Sequence, residues 1–168
     1  MNLKLLETTL ADHGQPRFRA RQVWGWTAKG ARSYEEMTDV PAAVRETLER
    51  ELPFSSLTLK EESRARDGTV KALFSTADGN PLEAVLMRYP PPRAGTRAPR
   101  AAASTRRGRA SVCLSSQSGC PLTCEFCATG SMRFARNLSV SEILDQALHF
   151  RRGANGAGDI SLLSCLMT

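Results

Sequence analysis

The sequence contains no apolar run approaching the ~20 residues of a membrane span. Its N-terminus, MNLKLLETTLADHG, lacks the long apolar centre and small-residue cleavage site of a secretory signal. These absences argue against a membrane helix and an exported protein, and a cytoplasmic address is expected. An even, dispersed set of cysteines is also missing. The five cysteines are odd in number and clustered, unlike the disulfide framework of a small secreted domain. Acid is missing from one stretch altogether: Arg88 to Ala110 holds seven arginines and no Asp or Glu. Without those seven, 16 of the 23 Lys and Arg remain against 17 acids, so the net charge of +6 is local to one segment. The overall balance, 41% apolar and 24% charged, is that of a soluble globular protein.

The first 55 or so residues carry helical periodicity. Leu3, Leu6 and Leu10 recur at helical spacing. FRARQVWGWTAKG places Phe18, Gln22 and Trp26 on one face beside Val23, and ends at Gly30. SYEE has a capping-box pattern, Ser33 with Glu36. Asp39 and Pro41 open a third stretch with an apolar stripe of Val40, Val44, Leu48 and Leu52, stopped by Pro53. Three β-patterned runs come next, separated by Asp67-Gly68 and Asp78-Gly79, which predicts a meander. Three strands pack poorly alone, so they are expected to lean on the helices or on later elements. Residues 90–108, rich in Pro, Ala and Arg, break all periodicity. They are either a solvated insertion or an arm for nucleic-acid phosphates. ASVCLSSQSG then reads as a strand entering a loop, and NLSVSEILDQALHFRR as a helix with Ser139 and Glu142 as capping box. ISLLSCLMT reads as one further strand.

The loop between that strand and helix holds Cys120, Cys124 and Cys127. Three thiolates within eight residues can wrap one soft metal centre. A structural zinc site wants four ligands and closes completely. No fourth ligand is near: His149 is 22 residues beyond Cys127 and Cys113 is seven before Cys120. A three-ligand site leaves one position vacant, and in an iron–sulfur cube this is one iron open to chemistry. Zinc binding remains the alternative on spacing alone.

CxxxCxxC with an aromatic, Phe126, before the last cysteine resembles the signature of the radical S-adenosylmethionine superfamily. The resemblance implies a [4Fe–4S] cluster held by Cys120, Cys124 and Cys127. Its fourth iron would bind S-adenosylmethionine, with Phe126 as a further contact. An external electron donor would reduce the cluster, and cleavage of the cosubstrate would yield a 5′-deoxyadenosyl radical. The wider sequence SVCLSSQSGCPLTCEFCATGSMRFARNLSVSEILDQ resembles the RlmN/Cfr family of RNA adenine methyltransferases. FRARQVWGW, SYEEMTDVP, DGTVKALF and LEAVLMRY fit that family in the same order. The resemblance implies that Glu83 accepts the proton from adenine C2. It implies that Cys113 closes a transient disulfide that releases product. The implied substrates are an adenine of 23S rRNA and one beside some tRNA anticodons. A base at Glu83 leans towards RlmN, which acts at C2, rather than Cfr, which acts at C8.

The resemblance also sets the expected fold. It is an α+β accessory domain (helices plus β-meander), then the start of an α/β partial TIM barrel. The expected divisions are a helical region over 1–55, the meander over 56–89, the Arg-rich insertion over 90–108 and the cluster-bearing core over 109–168. A complete barrel takes about 200 residues or more, so the chain is expected to be a truncated front portion, inactive in isolation. DISLLSCLMT does not reproduce the family's glycine motif for S-adenosylmethionine, so Cys165 inherits no catalytic role. Two other readings stay open: an RNA-binding fragment without chemistry, and a small iron–sulfur or zinc module.

Overall fold

The computed structural model describes residues 1–90, 109–122, 124–153 and 160–162. Nearly all of the Arg-rich insertion, and Cys165, lie outside the described residues. The chain begins with three helices: α1 (Leu3–Asp12), α2 (Phe18–Lys29) and α3 (Ala42–Glu51). The Asn2 side chain caps α1 by accepting from the Leu5 N–H at 3.1 Å. Gly30 ends α2 at φ 104°, a left-handed turn that other residues resist. The three helices enclose Leu6, Leu10, Val23, Val44 and Leu48, together with Tyr34 and Met37 from the connection before α3. Each such side chain, once buried, contributes about 1.5–3 kcal/mol.

Two sequence expectations shift here. The inward face of α2 is Val23 and Thr27, whereas Phe18 is exposed. Gln22 and Trp26 instead donate to Asp39, to its carbonyl and its carboxylate respectively, and so tie α2 to the approach of α3. The Ser33–Glu36 pattern closes a turn rather than starting a helix. Glu36 accepts from the Arg32 N–H at 3.0 Å. Tyr34 and Met37 both turn inward, and Pro41 disfavours helical geometry at Val40.

The meander forms as strands β1 (Leu57–Arg64), β2 (Val70–Thr76) and β3 (Pro81–Tyr89). Its two turns carry Gly68 at φ 84° and Gly79 at φ 83°, where L side chains are strained. The sheet does not stop at three strands. β4 (Arg109–Cys113) pairs antiparallel with β3, and β7 (Ile160–Leu162) pairs parallel with β4. The order is β1-β2-β3-β4-β7. A two-stranded ribbon, β5 (Gln117–Ser118) with β6 (Arg136–Asn137), flanks the cysteine loop. Helix α4 (Val140–Gly153) crosses from β4 to β7, as a parallel pair requires.

The buried face of the sheet, Val70, Ala72, Phe74, Leu82, Ala84, Leu86 and Val112, packs against Ile143, Ala147 and Phe150 of α4. The meander thus leans on β4 and α4, elements later in the chain. The helical layer is tied to the same helix. Asp145 of α4, almost fully buried, accepts from the Met1 amine and from the Ser56 N–H and Oγ, the latter two at 2.7 Å.

Candidate metal centre and the sheet face beside it

The cysteine loop begins where β4 runs out, and three contacts fix that exit. Gln146 of α4, fully buried, pairs its amide with the backbone of Ser115, donating to the carbonyl and accepting from the N–H, each at 2.9 Å. Ser115 Oγ donates to the Glu83 carbonyl at 2.6 Å, and Ser118 Oγ to the Pro81 carbonyl at 2.7 Å. The loop mouth is therefore held against the start of β3. At its far end the Ser139–Glu142 box closes in both directions. The Ser139 N–H donates to Glu142 at 2.7 Å, and the Glu142 N–H to Ser139 Oγ at 3.3 Å. Arg136 bridges Glu142 and Asp78 with four contacts of 2.7 to 2.9 Å. This clamps the loop's return to the β2–β3 turn. The guanidinium holds both carboxyls below the usual carboxylate range.

Two glycines let the loop fold tightly. A Cβ on Gly119, at φ 72°, would lie 2.2 Å from the Arg133 carbonyl oxygen. A Cβ on Gly130 would lie 2.6 Å from the Cys124 carbonyl oxygen. Both distances are far inside van der Waals contact, so glycine is demanded by close approach. Within this fold Cys120 is buried, while Cys124 and Cys127 are partly open. The Leu122 N–H points to Cys120 Sγ at 3.4 Å. The backbone N–H groups of Gly130 and Thr129 pull the Cys127 thiol below its usual pKa. Backbone N–H groups aimed at sulfur favour thiolate, the form that ligates metal. The donor set and its surroundings thus suit a soft metal centre. The sulfurs are not yet gathered: among the described residues no three Cys, His, Asp or Glu side chains converge to hold a metal ion. His149 does not approach as a fourth ligand, for its Nε2 meets Glu62 of β1 at 2.9 Å.

Glu83 and Cys113 come together on the sheet face opposite the α4 core. Cys113 lies opposite Val85 in the β3–β4 register, and cross-strand partners share a face. Glu83, two residues before Val85, is on that same face and diagonal to Cys113. Its carboxylate meets Lys71 Nζ at 3.0 Å and remains partly exposed. Cys113 is buried. Phe126 is 95% exposed at the loop tip, an apolar ring with nothing laid against it. Sequence reasoning missed Gln146 and Arg136, which hold the loop without chemistry of their own. Only the capping box hinted at this arrangement.

Comparisons with known proteins converge on one family. Residues 1–52 match the ribosomal RNA large subunit methyltransferase N-terminal domain. The probable dual-specificity RNA methyltransferase RlmN of Thermus thermophilus is 43% identical over 147 residues, covering 87% of this chain and 36% of that protein. The dual-specificity RNA methyltransferase RlmN of Campylobacter fetus is 38% identical over 154 residues, covering 91% of this chain and 42% of its own length. Among solved structures, a radical SAM methyltransferase from Sphaerobacter thermophilus matches with a TM-score of 0.76 at 38% identity, over 96% of this chain and 44% of that one. The chain therefore spans less than half the length of these relatives.

Proposed function

The chain belongs to the RlmN family, and from that premise we propose that it carries the cluster-binding part of a radical S-adenosylmethionine enzyme that methylates adenine C2 in 23S rRNA and tRNA. The observation that carries this reading is the glycine-folded loop with three cysteines, set at the end of β4 beside the face that bears Glu83 and Cys113. Cys120, Cys124 and Cys127 would hold a [4Fe–4S] cluster. When bound, the cluster supplies the electron that cleaves S-adenosylmethionine. The exposed Phe126 ring would be a contact for that cosubstrate.

The chain's own residues do the rest. Glu83 accepts the proton that leaves adenine C2, and Lys71 Nζ, at 3.0 Å, positions its carboxylate. Cys113, shielded from solvent on the same face, would be the thiol that serves the product-release step. The unit β4–α4–β7, with its parallel strand pair, would be the start of the α/β core.

Anaerobic reconstitution with iron and sulfide tests this reading. A brown, oxygen-sensitive protein with about four irons is expected, and Cys124→Ala is expected to lose the colour. A colourless chain that takes up stoichiometric zinc instead would overturn it. A second reading, RNA binding without chemistry, draws on the ungathered thiols. It predicts RNA affinity equal in the wild type and Cys124→Ala, with no iron taken up by either.

A further inference from the structure

A second site lies at the other end of the sheet, away from the cysteines. Helix α4 covers the buried face of the sheet but ends before the last residues of β1 and β3. There the fold leaves a cleft of about 210 Å³, walled by Val70, Leu86 and Phe150 and rimmed by charge. Its size is below the ~300–1,000 Å³ of pockets that enclose whole drug-sized ligands, so it suits a small group. Its charged lining is Arg32, Arg64, Arg88 and Arg152, with His149 and a single carboxylate, Glu62. That carboxylate is already spent. It takes Arg64 Nη2 at 2.7 Å and His149 Nε2 at 2.9 Å.

The remaining guanidiniums are under-used. Arg88 has no hydrogen-bond or ion-pair partner among the described residues, and its stem passes Gly68, whose added Cβ would sit 3.2 Å from Arg88 Cδ. Arg152 stacks over Phe54 at 4.7 Å and donates Nε to the Ala31 carbonyl at 3.0 Å. Its Nη2 is buried with no hydrogen-bond partner among the described residues. Arg32 is pointed at the same corner by its bond to the Arg152 carbonyl at 3.3 Å. Guanidiniums crowded in a half-buried cleft, with donors unmet and no free carboxylate, carry a desolvation cost that an oxyanion relieves. Planar, forked donors match phosphate oxygens in particular.

We infer that the cleft between α4, the β1–β2 turn and the Arg32 segment binds a phosphate group through Arg88, Arg152, Arg64 and Arg32. Resting on the function proposed above, the group is a phosphate of the RNA backbone, held at the opposite end of the sheet from the cysteine loop. Free phosphate is the other source of the same chemistry.

The test uses the full chain with two probes. The thermal midpoint is measured in inorganic phosphate against chloride at equal ionic strength. Binding of a labelled single-stranded RNA is measured across a salt series. Phosphate is expected to raise the midpoint of the wild type and not that of Arg88→Gln. Arg21→Gln, the same charge change on exposed α2, keeps the rise. For RNA, Arg88→Gln is expected to weaken binding several-fold and to lower the slope of log K against log salt by about 0.7. Arg64→Gln, altering a largely exposed side chain, gives the same loss at reduced size and guards against an unfolded Arg88 variant. A phosphate effect lost in Arg88→Gln with RNA binding untouched overturns the backbone source and leaves free phosphate as occupant. No midpoint rise in the wild type, or an equal rise in both, overturns the site. Either result leaves iron reconstitution unaffected, so failure here is distinct from failure of the methyltransferase reading.

Discussion

Gln146 has no exposed surface, and its amide meets both backbone groups of Ser115 as well as the Glu142 carbonyl. Gln146→Ala strands a buried N–H and a buried carbonyl together, each costing about 1–3 kcal/mol. A fall of about 2–4 kcal/mol in unfolding free energy is expected, read as a lower urea midpoint at unchanged slope. Gly119 is constrained more harshly. Alanine there meets a left-handed backbone, about 1–2 kcal/mol, and a carbonyl oxygen 2.2 Å from its new Cβ. Gly119→Ala is expected to cost more than the backbone term alone, because the ribbon must part to admit the methyl. Gly14→Ala, with positive φ and no atom within 4 Å of the added Cβ, is the control that isolates that term. Equal urea midpoints for the two variants would refute the close-approach argument.

Among the elements, the hairpins were the most legible. Asp-Gly pairs at 67–68 and 78–79 state both the turn and the left-handed residue it needs, and β1, β2 and β3 lie where the pattern put them. The Ser139 box was legible because an uninterrupted amphipathic stretch comes after it. The same motif at Ser33 misled because Pro41 comes too soon for a helix to propagate. The ties of Gln22 and Trp26 to Asp39 were not legible, because they are contacts outside local sequence. The three cysteines could be read from spacing, whereas their support could not. The clamp of Arg136 joins a turn at residue 78 to a helix at residue 142. That clamp has a pH signature. Asp78 and Glu142 titrate lower in the fold than in the unfolded chain, so acidification protonates the unfolded chain first. The stabilisation is complete at neutral pH and is lost as pH falls below about 4. Arg136→Gln is expected to melt lower than the wild type at pH 7. The gap should narrow progressively as pH falls below about 4; a gap independent of pH would refute the linkage.

For the whole molecule, α4 is the shared wall of two cores. One side meets the sheet, and Asp145 reaches back to Met1 and Ser56 on the helical side. Asp145→Ala removes a buried charge from its partners, a loss of about 3–5 kcal/mol. Amide exchange in α1 is expected to rise more than in β2 and β3, since the helical layer loses its tie while the sheet keeps its ladders. Uniform acceleration across both layers would show that the two cores unfold as one. The arginine cleft belongs to this scale too. Residues 32, 64, 88 and 152 share no motif, and only the meeting of β1, β3, α4 and the connection after α2 makes them neighbours.

The β3–β4 register places Tyr89 directly opposite Arg109. Facing residues of an antiparallel ladder sit only about 4.5–5.5 Å apart. Whatever is threaded between these two positions leaves and rejoins the protein at almost the same point. Its length is thereby decoupled from the architecture, much as a bracelet clasp is indifferent to the charm it carries. An epitope or a reporter domain grafted there should be tolerated, and a tight two-residue reverse turn should serve as well.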